Sequence, residues 1–170
     1  MKNISNLPCH RSRFFRAIFA ALPLVAGSLV VSGGPVEADE GKQITGKFHM
    51  GLVIGADCPA ASQVCATGSV TGDLAGQIFI TIDDLTETHD QRGEVVSLLS
   101  GDVLINTAEG DIHGKLRGIY DQATGQMRST ITLIGGDRRY HKMNGKLHVS
   151  GAVDLRNNVE EDDYRGELGR

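Results

Sequence analysis

The sequence predicts an all-β protein, an antiparallel closed β-barrel of eight strands that follows a cleaved signal peptide. Three observations support this fold class. After residue 38, apolar and polar residues alternate with a period of two in one run after another, which is the pattern of half-buried strands. No segment there carries the apolar stripe of a helix. Of the 22 glycines, 19 remain when Gly27, Gly33 and Gly34 are set aside, and so many glycines disfavour helices.

Residues 1–38 have the composition of a secretory signal peptide. Lys2 and three arginines precede the first acid, and the apolar run from Ala17 to Val31 is 15 residues long. That run is shorter than the roughly 20 residues needed to span a bilayer. Val36-Glu37-Ala38 provides a cleavage site after Ala38. We therefore expect a secreted or periplasmic protein with no membrane insertion after processing.

The remaining chain is predicted to contain one domain, a β-barrel over residues 39–155. Residues 156–170, RNNVEEDDYRGELGR, hold four consecutive acids and few apolar side chains, which predicts an acidic, flexible tail. Without the signal peptide, 13 bases and 20 acids leave a net charge of 13 − 20 = −7. Nucleic-acid binding needs a basic surface, so no nucleic-acid partner is expected.

Two cysteines remain after processing, in the segment CPAASQVC. Cys58 and Cys65 are predicted to form a disulfide, because an exported chain folds in an oxidising compartment. A zinc site would need further ligands at suitable spacing, and a redox pair usually has two intervening residues. Free thiols remain the alternative.

Six runs alternate between apolar and polar residues and are predicted as strands. They are QITGKFHMGLVIG, GQIFITIDDL, GEVVSLLSGDVLIN, GDIHGKLRGIYD, GQMRSTITLIG and GKLHVSGAVDL. Glycine, Asn and Asp between them mark turns. Short strands with one apolar face indicate an antiparallel sandwich or a closed barrel, and closure has the advantage of hiding sheet edges. IGGDRRYHKMNG is predicted as a corner between two strands, with Arg138-Arg139-Tyr140 as an anion or ring clamp in the alternative.

The last 50 residues of the predicted barrel contain a distinctive order of turns and glycines. A strand ends in a Gly-Gly turn, a basic-aromatic pair follows, and a final strand then carries a glycine. The residues at these places are Gly135, Gly136, Arg139, Tyr140, Gly145 and Gly151. This order resembles the bacterial relatives of allene oxide cyclase and dirigent proteins, which are small eight-stranded barrels. The resemblance covers residues 41–155 and implies the fold, an apolar cavity and self-association as a homodimer or homotrimer. It assigns no catalytic residue to this chain.

A modest apolar cavity is predicted inside the barrel. An eight-stranded barrel is just wide enough to be filled by side chains or to hold one small ligand, and this chain has no Trp and few aromatic residues to fill it. The residues predicted to line the cavity lie on the apolar faces of two strands. They are Phe48, Met50, Leu52, Met127, Ile131 and Leu133.

The polar residues offer weaker candidates. His49, His113 and His148 lie on polar strand faces without the spacing of a metal pair, so solvated imidazoles are expected. An acid-base histidine in the pocket and a metal cluster across strands are the alternatives. DDLTETHD is predicted as a solvated acidic loop after a strand, with a weak cation site as the alternative. No serine lies in a nucleophile elbow. We expect no metal and no cofactor.

These observations predict a protein that binds a small apolar molecule or serves as a structural or accessory domain. The rival is an enzyme, a cofactor-free cyclase or isomerase that folds a flexible apolar substrate inside the barrel. An enzyme needs an ionisable group that points into the cavity, whereas a carrier needs only an apolar lining. The sequence places no such group, and therefore favours a role without catalysis.

Overall fold

A computed structural model of the chain describes residues 41–169 apart from residues 59, 61 and 63. The signal peptide predicted for residues 1–38 lies outside the described residues. Eight strands make up the structure. They are β1 (Lys42–Ile54), β2 (Val64–Gly72), β3 (Gly76–His89), β4 (Val95–Thr107), β5 (Gly110–Asp121), β6 (Gln126–Gly136), β7 (Asn144–Asp154) and β8 (Val159–Gly169).

The strands form one closed barrel in chain order. Each strand is antiparallel to the next, and β1 closes the ring by pairing with β8 from Lys42↔Leu168 to Gly51↔Val159. The predicted all-β, antiparallel, eight-stranded closed barrel is thereby confirmed.

The prediction that residues 156–170 form a flexible tail is wrong, because most of that segment is β8. This strand hydrogen-bonds to β7 on one side and to β1 on the other. The four acids at its start alternate in direction. Glu161 and Asp163 face outward beside His49 and Lys47 of β1, while Glu160 and Asp162 face the interior. Backbone pairing with β7, and with β1 more than 100 positions away in the sequence, holds this acidic segment in the sheet.

One end of the barrel is filled by its own side chains. Several aliphatic residues there, besides Leu74, are no more than 1% exposed. They are Ile44, Ile78, Ile105, Ile112 and Leu147. Tyr164 stacks on Phe48 with ring centroids 4.8 Å apart, accepts a hydrogen bond from the Leu74 backbone N–H at 3.0 Å and donates one to the Thr71 carbonyl oxygen at 3.0 Å. This filled end is closed by packing and by the polar contacts of one buried ring.

The IGGDRRYHKMNG segment is a corner at that same end. β6 runs to Gly136, a short 3-10 turn spans Arg138–Tyr140, and β7 begins at Asn144. Tyr140 is buried in the core, and Arg139 forms an ion pair with Glu109 on the neighbouring turn. The segment therefore serves as a cap on the filled end of the barrel.

A β-bulge in β3 changes which side chains face inward. β3 and β4 pair Ile82 with Gly101 and then Asp84 with Ser100, so Asp83 is the extra residue. Before the bulge the even-numbered residues point inward, and after it Leu85 and Glu87 do so. The acidic segment predicted as a loop is therefore the second half of β3, because β4 supplies backbone partners as far as His89.

Candidate functional site

The other end of the barrel holds a cavity of about 450 Å³ that opens to solvent. All eight strands contribute to its lining, mostly with aliphatic side chains. The space remains open because several inward positions at this level carry small side chains, among them Ala66, Ser97 and Ser129. The cavity thus forms because small side chains on several strands face inward at the same level of the barrel.

Four of the six residues predicted to line a cavity do so: Phe48, Leu52, Met127 and Ile131. The other two are buried in the interior without lining this space. Leu133 lies toward the filled end, opposite Gly114 and Gly145. Met50 packs in the core beside Glu160 of β8.

Two carboxyl groups on β8, Glu160 and Asp162, form the most distinctive part of the lining. They occupy alternate positions, so both side chains point inward, and they are only 6% and 4% exposed. Asp162 pairs across the sheet with Phe48 and Gly151. A Cβ at Gly151 would overlap the Asp162 carboxylate, so this glycine provides the space that the carboxylate occupies.

The carboxyl pair has no cationic partner among the described residues that line the cavity. Asp162 Oδ1 is buried and accepts no hydrogen bond within the described part of the chain. A buried, unpaired carboxylate is costly, and such groups usually take up a proton instead. Ionisation of both carboxyl groups in this position would therefore destabilise the folded protein.

Burial raises the pKa of both acids. Loss of solvent and the nearby Asp162 charge raise the pKa of Glu160 to about 9, and burial raises the pKa of Asp162 to about 6. Near neutral pH the pair therefore shares one proton and carries one negative charge. A proton donor and a proton acceptor thus lie side by side in an apolar cavity.

A smaller polar group lies at the cavity mouth. The Gln122 side-chain amide donates hydrogen bonds to Glu87 Oε1 at 2.8 Å and to Ser97 Oγ at 3.0 Å. Tyr120 of β5 also lines this region. Glu87 reaches the mouth only because of the bulge at Asp83, which the sequence pattern did not reveal.

The predicted Cys58–Cys65 disulfide is present, with 5.6 Å between the Cα atoms. Cys65 lies in β2 and contributes to the cavity lining, so the bridge fastens the β1–β2 connection at the open end. His49, His113 and His148 lie on the outer surface of the barrel. Within the described ranges, no three His, Cys, Asp or Glu side chains are grouped as metal ligands.

The sequence pattern did not reveal Glu160 and Asp162, because their acidic segment predicts a tail. A signal was present in the same segment. Tyr164, Gly166 and Leu168 continue the two-residue alternation toward the C-terminus, and a ring of eight strands needed two more than the six alternating runs supplied. That count pointed to a strand in the last residues.

No family model, curated protein or solved structure matches the chain. The resemblance to allene oxide cyclase-like barrels therefore stays a prediction. In the part of the chain that the structure describes, no helix has the length and apolar character of a membrane span.

Proposed function

We propose that this protein binds a small molecule with a mainly apolar body inside the barrel. The observation that carries the proposal is the open cavity of about 450 Å³ with its aliphatic lining. Small-molecule sites in proteins are typically concave, about 300–1,000 Å³ in volume, and largely apolar with a few polar groups. An apolar cavity that is left unfilled costs dispersion contacts, and a ligand restores them.

The rim of the cavity supports the proposal. Ile54, Leu155 and Leu85 line the cavity and are 58%, 53% and 45% exposed. An exposed apolar patch around the opening of a cavity is typical of a ligand-binding groove. An apolar molecule entering here would exchange contacts with the rim for contacts with the interior.

A second function is favoured by the inward-facing carboxyl pair. Two carboxyl groups whose pKa values are pushed apart can act as acid and base in the same site. Glu160 would supply a proton and Asp162 would accept one, while the barrel folds the substrate and excludes water. On this alternative, the protein is a cofactor-free cyclase or isomerase.

We also infer that the protein is exported. The supporting features are the composition of residues 1–38 and the Cys58–Cys65 disulfide, since structural disulfides persist mainly in oxidising compartments. The proposed ligand is then a molecule of the periplasm or the exterior. Relationship to the allene oxide cyclase-like barrels and the implied homodimer or homotrimer belong to the same set of proposals.

A neutral fluorescent probe tests the binding proposal. N-phenyl-1-naphthylamine brightens when it leaves water, and we expect saturable binding to the purified protein with one site per barrel. Ala66→Leu adds a side chain to the cavity wall and should weaken binding by about tenfold or more, because burying three extra carbons displaces an equal part of the probe.

Thr67→Leu is the matched control, since this neighbouring side chain faces solvent and its replacement should leave probe affinity unchanged. Circular dichroism verifies that both variants retain the β-sheet spectrum. Absence of saturable binding to the unaltered protein, or equal affinity of the Ala66→Leu variant, would refute the proposed function.

A further inference from the structure

The carboxyl pair lacks the compensation that other acids of the same strand receive. Outward-facing Asp163 lies 2.7 Å from the Lys47 ammonium, and Glu161 lies 3.1 Å from the His49 ring. The inward-facing Glu160 and Asp162 have no such neighbour. Of the four consecutive acids in β8, the two exposed to water have basic partners, and the two removed from water have none among the described residues.

Every element packed against the pair is apolar where it faces it. β1 presents Phe48 and Met50, and β7 presents Gly151 and Val153. Among the described cavity-lining residues, the other ionisable side chains are Glu87 and Tyr120, and neither can neutralise a carboxylate. Cys65 also lines the cavity, but it does not ionise because it is held in the disulfide. Among the described residues, the cavity lining therefore has a net negative charge and no cation.

Asp162 supplies an independent sign that a ligand belongs here. Its side chain is 4% exposed, it lines the cavity, and Oδ1 has no hydrogen-bond partner among the described residues. Buried polar atoms nearly always have a partner. Asp162 thus lines the cavity with a carboxylate that lacks a hydrogen-bond donor among the described residues, and a ligand could supply that donor.

We propose that the bound molecule is a lipophilic amine, whose protonated nitrogen lies against Glu160 and Asp162 while its apolar body fills the cavity. This inference rests on the proposed function and names the ligand's chemical class. An ammonium group offers both the positive charge and the N–H donors that the pair lacks, and charge-assisted hydrogen bonds are about twice as strong as neutral ones.

A divalent metal fits the site less well than an amine. Calcium takes six to eight oxygen ligands and magnesium requires an octahedral set, whereas this cavity offers two carboxyl groups within aliphatic walls. An ammonium needs only a few acceptors and tolerates apolar surroundings on its carbon side. The surroundings of the pair therefore select an organic cation.

The test compares two ligands of one shape, 1-aminoadamantane and 1-hydroxyadamantane, by isothermal titration calorimetry. Both cages are compact and apolar, and only the amine is charged near neutral pH. We expect the amine to bind at least about tenfold more tightly than the alcohol, the scale of one charge-assisted contact. The variant with Glu160→Gln and Asp162→Asn should bind both cages with similar affinity.

A matched control carries Glu161→Gln and Asp163→Asn, the same chemical changes on the outer face of β8. This variant should retain the preference for the amine. A second measurement needs no variant. As Asp162 takes up a proton, amine affinity should fall by up to about tenfold per unit of pH below about 6, while alcohol affinity stays constant.

The outcomes separate the two proposals. Equal affinity for amine and alcohol would overturn the inference about the amine and leave the apolar site intact. If the amine fails to bind while N-phenyl-1-naphthylamine still binds, the inference about the amine is likewise overturned and the apolar site remains. Absence of saturable N-phenyl-1-naphthylamine binding overturns the proposed function itself, and the inference about the amine with it.

Discussion

Glu160 and Asp162 are the residues at which function and stability oppose each other. Both have a pKa in the folded barrel above the ordinary carboxyl value, so the folded state holds protons that the unfolded chain releases. Their contribution to stability is therefore fully present below about pH 4 and is lost as the pH rises toward about 9. A barrel without these acids would be more stable near neutral pH.

The first prediction follows from that direction of change. The melting temperature of the protein should fall between about pH 5 and pH 9, and Glu160→Gln should remove most of this fall, on the order of 10 °C. Glutamine keeps the shape of the protonated acid and cannot ionise. Differential scanning calorimetry at several pH values measures the effect.

Glu161→Gln is the control, because the neighbouring carboxyl group is exposed on the outer face. Its pH profile should match that of the unaltered protein. A melting temperature that is constant over this range, or that rises with pH, would show that the inward acids are not buried in solution.

At the scale of elements, the β1–β2 connection depends on its disulfide. Cys58 lies in the turn, and Cys65 lies inside β2 between Val53 and Thr81 of the adjacent strands. The bridge joins an irregular segment to the sheet beside the cavity mouth. Its main effect on stability is expected through the unfolded chain, whose freedom it reduces.

The second prediction concerns the removal of that bridge. Replacing Cys58 and Cys65 together by alanine should lower stability by about 2.5 kcal/mol, the loop-closure value for so short a ring, which corresponds to roughly 10 °C in melting temperature for a domain of this size. The far-UV circular dichroism spectrum should remain that of a β-sheet.

Reductant provides the control for the disulfide. It should lower the melting temperature of the unaltered protein toward that of the double variant and leave the variant unchanged. If the double variant melts at the original temperature under oxidising conditions, the bridge does not contribute to stability.

At the scale of the whole molecule, closure of the ring depends on the last strand. Without β8, the edges of β1 and β7 would be unpaired, and the cavity would lose one wall. Unpaired edges of this kind promote aggregation. The segment predicted as a tail is in fact the strand that makes the sheet a barrel.

The third prediction is that a chain ending at Arg156 will not fold. It should lack a cooperative thermal transition and aggregate on size-exclusion chromatography. A full-length protein with Glu161→Gln and Asp163→Asn is the control, since it removes charge from the segment but keeps the strand. A truncated chain that melts cooperatively near the original temperature would restore the interpretation of this segment as a tail.

The sequence alone determined the fold class, because two-residue alternation is a local property of each strand. It likewise determined the disulfide, because the two cysteines lie close together in a short segment. Phe48, Leu52, Met127 and Ile131 were found for the same reason, since each lies on the apolar face of a regular strand.

Only the tertiary structure decided which ionisable side chains face the cavity. Asp162 is buried because Phe48 and Gly151 flank it across the sheet, and the local pattern around it reads as a solvated acidic run. Glu87 faces the cavity mouth because one bulged residue reverses the direction of every side chain after it. Burial of a charge and the parity of a strand depend on partners distant in sequence, so they are set by register and ring closure rather than by composition.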